Sequence, residues 1–208
     1  MPTRIKICGI TRIEDALAAA RLGADAIGLV FWPQSARAVT PARAREIVAA
    51  LPPFVSSVGV YVDPEAEWVE QTASVAGLNL LQFHGDESPE FCSQFSLPYI
   101  KAVRVKAGVD LLQYATRYSS ARGLLLDTYV EGTPGGTGDA FNWGLIPQRL
   151  PLPLILSGGL HPGNVTTAIK QVQPWAVDVS SGVEAAKGIK DAEKIAAFMQ
   201  GVRNSESL

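Results

Sequence analysis

The sequence predicts a single-domain α/β protein folded as a closed (β/α)8 barrel, the TIM barrel. Eight short β-rich runs alternate with helix-patterned stretches. Their starts lie roughly 20–30 residues apart, the length of a strand, a crossover helix and two loops. Several runs are almost wholly apolar (residues 26–31, 123–126 and 154–156), as strands covered on both faces require. The chain has 208 residues and no Pro/Gly/Ser-rich linker between halves. Eight units in that length sit near the minimum for a barrel and favour closure over an open doubly wound sheet.

The strand candidates are residues 4–8, 26–31, 55–61, 78–83, 99–103, 123–127, 154–156 and 175–179. Between the first two, residues 11–22 carry Ile13, Ala16, Leu17 and Ala20 at helical spacing and stop at Gly23, a C-terminal cap. Thr40-Pro41 is a cap followed by proline at the first helical position, and it opens residues 42–50. Asp63-Pro64, Ser88-Pro89 and Lys190-Asp191 mark further helix starts. Residues 108–118 pattern another helix and residues 142–147 a very short one, about eight in all. Residues 201–208 read as a frayed tail.

Composition excludes several functions. The 18 basic and 20 acidic residues leave a net charge of −2, without the positive excess of a nucleic-acid or anionic-membrane surface. Two cysteines exclude a disulfide framework or four-cysteine metal site, and two histidines leave little for a zinc cluster. The opening MPTRIKICGITRIEDA has no apolar core of a secretory signal. The longest stretch without a fully charged side chain, residues 150–169, is broken by Pro151, Pro153, Gly158, Gly159, Pro162 and Gly163. No membrane helix is built that way. The expectation is a reduced, cytoplasmic chain with no nucleic-acid or membrane partner and no metal.

In such a barrel the chemistry lies on the loops after the C-terminal strand ends, and the unusual residues gather there. The first strand ends in Lys6-Ile7-Cys8-Gly9, and Ser35 and Arg37 follow the second. The fourth ends in Gln82-Phe83-His84-Gly85 and the sixth in Asp127, ahead of the glycine-rich residues 132–138. The seventh ends in Ser157-Gly158-Gly159 and the eighth in Asp178-Val179-Ser180-Ser181-Gly182. Gly158-Gly159 and Ser181-Gly182 expose backbone N–H groups on the two loops that commonly form a phosphate site, although glycines also serve plain tight turns. Residues 132–138 read as a lid or as simple flexibility.

Cys8 is either an inert buried thiol or a thiolate base or nucleophile, which needs its pKa lowered from about 8.5 by nearby positive charge. Strand alternation puts Lys6 on the same inward face, where an unpaired ammonium is untenable. Asp178 on the adjoining eighth strand has the matching parity, so a Lys6–Asp178 ion pair is predicted. Asp127 is a helix cap or a working acid; the first and sixth strands lie nearly opposite each other, as an acid and a base serving one substrate require. His84 orients a ligand or is structural, and Arg37 is a fork for a carboxylate or a solvated charge. His161 and Cys92 carry no chemistry.

Several strings, in order, resemble the phosphoribosylanthranilate isomerase family of tryptophan biosynthesis. They are Lys6-Ile7-Cys8-Gly9-Ile10-Thr11, Leu81-Gln82-Phe83-His84-Gly85, Leu126-Asp127 with Gly135-Gly136-Thr137-Gly138 and Phe141-Asn142-Trp143, Leu156-Ser157-Gly158-Gly159-Leu160, Val177-Asp178-Val179-Ser180-Ser181-Gly182-Val183-Glu184 and Gly188-Ile189-Lys190-Asp191. The match runs from Lys6 to about Phe198; Phe83 and Asn142 depart from the usual pattern without touching a catalytic position. The resemblance implies an Amadori rearrangement of a phosphoribosyl substrate with no cofactor, Cys8 as general base and Asp127 as general acid. It implies Arg37 on the anthranilate carboxylate, Gly158, Gly159, Ser181 and Gly182 around the phosphate, His84 at the substrate, and Asp178 at a ribose hydroxyl. It leaves open a monomer or a homodimer. The nearest alternative is the aminoaldose phosphate isomerase of histidine biosynthesis, whose family uses a carboxylate where Cys8 stands; a non-catalytic phosphosugar-binding barrel is the other.

Overall fold

The computed structural model describes residues 2–106, 108–128 and 143–206. Eight parallel strands close a barrel in chain order: β1 Arg4–Ile7, β2 Ala26–Val30, β3 Ser56–Tyr61, β4 Leu80–Phe83, β5 Tyr99–Val105, β6 Leu124–Thr128, β7 Leu154–Leu156 and β8 Ala176–Val179. Around it lie α1 Ile13–Leu22, α2 Pro41–Ala49, α3 Ala66–Ala76, α4 Pro89–Ser93, α5 Leu111–Arg117, α6 Val165–Val172 and α7 Ala192–Glu206. Among the described residues, the segment from β6 to β7 has only a 3₁₀ turn, Trp143–Leu145, where a very short helix was expected. Residues 132–138, read above as a lid or flexible loop, lie outside the described residues.

The helix starts follow local chemistry. Thr40 caps α2 by accepting from the Arg43 N–H at 3.2 Å, and Ser88 caps α4 in the same way from Phe91. Asp191 accepts from the Glu193 and Lys194 N–H groups ahead of α7. Gly23, with φ of 105°, closes α1 in the left-handed conformation that glycine tolerates best.

Two features differ from expectation. The short antiparallel hairpin β9 Glu184–Ala186 and β10 Ile189–Lys190 follows β8. Strands of two and three residues have no periodicity to betray them. The tail from Gly201 does not fray: α7 continues to Glu206, because Phe198, Met199 and Val202 are buried. Gly201 lies so close to α6 that a Cβ there would meet Val165 Cγ1 at 2.6 Å. Residues 207 and 208 lie outside the described residues.

Inward-facing residues alternate along each strand and stack in layers. Leu80, Ile100, Ala102, Leu125, Ile155 and Ala176 form an apolar plug. Two residues further along β8 the next inward side chain is Asp178, whose register partner on β1 is Lys6. The Lys6 ammonium donates to Asp178 Oδ1 at 2.8 Å, with each side chain only 6% exposed, so the predicted ion pair is present. The next layer, at the mouth, carries Cys8, His84, Arg104 and Asp127.

Breaking a buried pair leaves one uncompensated charge. Asp178→Asn is therefore expected to cost about 3–5 kcal/mol of stability in a urea titration. The double substitution Lys6→Met/Asp178→Leu should recover most of it. A single-variant loss below about 1 kcal/mol, the level of an exposed pair, would contradict a desolvated one.

Candidate active site

Cys8 lies just past β1, with its N–H donating to the Val179 carbonyl of β8 at 2.8 Å. Its side chain fits because the neighbouring strand has Gly28: a Cβ there would meet Cys8 Sγ at 2.7 Å and Lys6 Cε at 3.2 Å. Val30, Val60 and the partly buried Trp32 surround the thiol. This dry setting pushes the thiol pKa up; Lys6 and Lys190 pull the other way and do not prevail. Of the two readings of Cys8, the lowered pKa that the thiolate needs is not met in the ligand-free protein. Positive charge is nearby, but burial outweighs it. The Lys6 ammonium is disfavoured by burial, yet Asp178 and Cys8 beside it hold its pKa above the ordinary lysine value.

Asp127 is buried at the end of β6, and its Oδ2 lies 3.0 Å from His84 Nε2. The other ring nitrogen, Nδ1, is 3.0 Å from the Gln82 amide nitrogen. With the Gln82 N–H as donor, Nδ1 accepts and the Nε2 N–H donates to Asp127 Oδ2. The tautomer is assigned from this network. The loop carrying His84 is anchored from behind by the buried Lys101, which donates to the Gly85 carbonyl at 2.6 Å and to Glu87 Oε2 at 3.1 Å. Arg104, facing Asp127 in register on β5, donates from Nη2 to the His84 carbonyl at 3.2 Å.

Arg37 donates from Nε and Nη2 to the two oxygens of Glu184, at 2.7 and 2.8 Å. Lys190 Nζ adds a bond to Glu184 Oε1 at 2.9 Å. Burial works to raise the Glu184 pKa, but the two cations outweigh it and hold the carboxyl below the ordinary range. Arg37 packs over Gly9, the residue after Cys8, where a Cβ would meet its Cδ at 2.5 Å. Gly158 and Gly159 have φ of 82° and 66°, and Ser181 and Gly182 begin a 3₁₀ turn ending at Val183. Gly182 packs against the loop after β7 so closely that a Cβ would meet the Leu160 carbonyl oxygen at 2.0 Å. Two loops of backbone N–H groups thus meet at one corner of the mouth, the arrangement that receives a phosphate.

A cleft of about 750 Å³ opens beside this mouth, lined by Phe31, Trp32, Val62, Trp68 and Arg104 among others. Among the described residues, no group of three or more His, Cys, Asp or Glu is placed to hold a metal ion, and no helix is long and apolar enough to cross a membrane. The fold thus gathers Cys8, Arg37, His84, Asp127, Gly158, Gly159, Asp178, Ser181 and Gly182 at the C-terminal strand ends. Asp178 is occupied by Lys6 and by the Ser157 hydroxyl at 3.3 Å. Sequence reasoning missed the parts played by Glu184, Lys190, Lys101 and Arg104. Glu184 and Lys190 stand in strings quoted above, but the pairing of Glu184 with Arg37 joins segments 147 residues apart, which no spacing reveals.

The chain matches the family model described as N-(5'phosphoribosyl)anthranilate (PRA) isomerase over residues 5–201. It belongs to that family. A relative from Nitrosospira multiformis, named N-(5'-phosphoribosyl)anthranilate isomerase, is 76% identical over 208 residues and all of both chains. A solved phosphoribosyl anthranilate isomerase in complex with reduced 1-(o-carboxyphenylamino)-1-deoxyribulose 5-phosphate is 44% identical, with a TM-score of 0.86 over 97% of this chain and 99% of that one. Another structure, described as monomers of the dimeric phosphoribosylanthranilate isomerase from Thermotoga maritima, is 41% identical, with a TM-score of 0.85 and the same coverage. The closed eight-stranded barrel is the fold that phosphoribosylanthranilate isomerases share with this chain.

The raised thiol pKa has a direct consequence. A thiol whose pKa lies above the ordinary value is almost wholly protonated near neutrality, and its reactivity appears only as pH rises. Alkylation of the ligand-free protein, read by mass spectrometry on the Cys8 peptide, should therefore accelerate with a midpoint above the free-thiol value of about 8.5. A midpoint below that value would contradict the burial account.

Proposed function

We infer that the chain catalyses the Amadori rearrangement of N-(5-phosphoribosyl)anthranilate to 1-(2-carboxyphenylamino)-1-deoxyribulose 5-phosphate, a step of tryptophan biosynthesis. The observation that carries the mechanism is the presence at one barrel mouth of a thiol, Cys8, and a hydrogen-bonded carboxyl, Asp127, on β1 and β6. Asp127, as general acid, protonates the furanose ring oxygen. The C1′–O bond breaks towards that oxygen, and the anthranilate nitrogen lone pair forms the C1′=N bond of a protonated Schiff base. Cys8 as thiolate takes the C2′ proton; the released electron pair forms C1′=C2′ and the iminium electrons return to nitrogen. Protonation at C1′ and loss of the 2′-hydroxyl proton then give the ketone, so no net proton is consumed.

This sequence also accounts for a resting thiol with a raised pKa. The Schiff base brings a positive charge into a dry mouth, and an adjacent opposite charge favours the thiolate. Cys8 thus becomes a base when its task exists. Arg37 receives the anthranilate carboxylate with the donors that Glu184 leaves free, and the glycine-rich corner receives the phosphate. Asp178 meets a ribose hydroxyl while keeping its bond to Lys6. His84 supports Asp127 from behind. No organic cofactor or metal takes part in these steps. The histidine-pathway alternative is disfavoured because its family has a carboxylate at the Cys8 position. A cytoplasmic setting suits a base that must stay reduced, and both cysteines are free.

The molecule is proposed to act as a homodimer. Phe54 is fully exposed with φ of 72°, an apolar side chain held outward at a strained backbone. The Thermotoga maritima relative, described as dimeric, supports this assembly. Light scattering should give the mass of a dimer for the wild type and of a monomer for Phe54→Ser; a monomeric wild type would refute it.

Catalysis is tested by the loss of anthranilate fluorescence as purified protein consumes phosphoribosylanthranilate. Cys8→Ala and Asp127→Asn should each lower kcat by about 10²–10⁴-fold with the fold intact. Near wild-type kcat in both would refute the assignment, and preference for the histidine-pathway substrate would favour the alternative.

A further inference from the structure

Glu184 is a heavily engaged carboxylate beside the mouth. Its Oε1 accepts from Arg37 Nε at 2.7 Å, Lys190 Nζ at 2.9 Å and the Gly188 N–H at 3.3 Å, and its Oε2 accepts from Arg37 Nη2 at 2.8 Å. Lys190 does not stop there. Its ammonium also donates to the Ser180 carbonyl at 3.0 Å and approaches the Ser180 hydroxyl at 3.4 Å. Ser180 is the residue on which the Ser181–Val183 turn begins. One buried carboxylate thereby joins two parts of the mouth, the guanidinium beside Cys8 and the start of the phosphate turn. The β9–β10 hairpin exists to deliver both ends of the joint, since Glu184 opens it and Lys190 closes it in register.

The chemistry of the three groups fits a ligand with two anionic ends. Two cations share one acid, so the network keeps a net positive charge inside a nearly closed surface: the Lys190 and Glu184 side chains are 1% and 6% exposed and that of Arg37 is 15% exposed. A bidentate fork fixes the plane of a guanidinium in a way a single bond does not. The lysine, with three donors, spans what the fork leaves.

We propose that Glu184 is a positioning residue for both anionic ends of the substrate, aiming Arg37 at the carboxylate and, through Lys190 and the Ser180 carbonyl, setting the phosphate turn. This rests on the substrate reading above. It predicts that removing one charge, far from either ligand atom, weakens both ends, whereas each partner affects only its own end.

The test measures equilibrium binding of two separate probes, 2-aminobenzoate and inorganic phosphate, to the wild type, Glu184→Gln, Glu184→Asp, Lys190→Met, Arg37→Met and Arg37→Met/Glu184→Gln, with thermal melts to confirm folding. Glu184→Gln should weaken both probes by about tenfold, the effect of roughly 1.4 kcal/mol. Lys190→Met should weaken phosphate alone and Arg37→Met the aminobenzoate alone. In the double variant, Glu184→Gln should add nothing to the aminobenzoate loss while still weakening phosphate. Should Glu184→Gln not fold, Glu184→Asp, which keeps the charge but shortens the arm, is expected to weaken both probes in the same pattern. A lowered melting temperature with unchanged affinity in the folded protein, or weakening of one probe only, would overturn the proposal alone. A wild type that binds neither probe would overturn the substrate reading and the proposal with it.

Discussion

The Lys6–Asp178 pair is the interaction on which the rest of the mouth depends. It spans the seam where the first and last strands meet, 172 residues apart in the chain, and sits directly on the apolar plug. An ammonium without a partner at that depth is untenable, and a carboxylate alone is no better. Joined, they set the register of β1 against β8. That register carries Cys8 to the rim on one strand and Ser180 with the phosphate turn on the other. Gly28 on β2 completes the arrangement by leaving the space that the Lys6 and Cys8 side chains occupy.

The electrostatics suit a chain of net charge −2 to the proposed substrate with its two anionic ends. The phosphate corner relies on backbone N–H groups, which add no formal charge. A surplus positive charge is local, shared among Arg37, Lys190 and Glu184. Burial raises the pKa of the Cys8 thiol, and in the proposed mechanism the Schiff base supplies the opposite charge. Asp127 is handled differently, its carboxylate oriented by a histidine whose other nitrogen is fixed by Gln82. The proposed acid and base thus differ in environment as well as in chemistry, a common way to hold two proton-transfer roles apart.

Much of this was legible in the residues. Buried parallel strands have to be continuous apolar runs, so residues 26–31 and 123–126 declared themselves, and Thr40 and Ser88 carried the side-chain oxygens that caps require. Strand parity alone paired Lys6 with Asp178. The illegible parts are those that depend on distant segments meeting. Nothing in the local sequence of Glu184 points to Arg37, and Lys190 reads as the residue before a helix. Lys101 lies in a run that reads as an ordinary strand and Arg104 just past its expected end, although one anchors the His84 loop and the other faces Asp127. The direction of the Cys8 pKa shift was also hidden, because sequence shows which charges are near but not how completely Val30, Val60 and Trp32 exclude water.

The central claim is that proton removal from C2′ by the Cys8 thiolate is an obligatory step of turnover. Single-turnover kinetics with substrate deuterated at C2′ test it most directly. The account predicts a primary isotope effect on the wild-type rate and no measurable turnover by Cys8→Ala on that timescale. Equal rates for the two isotopologues, together with undiminished turnover by Cys8→Ala, would contradict it.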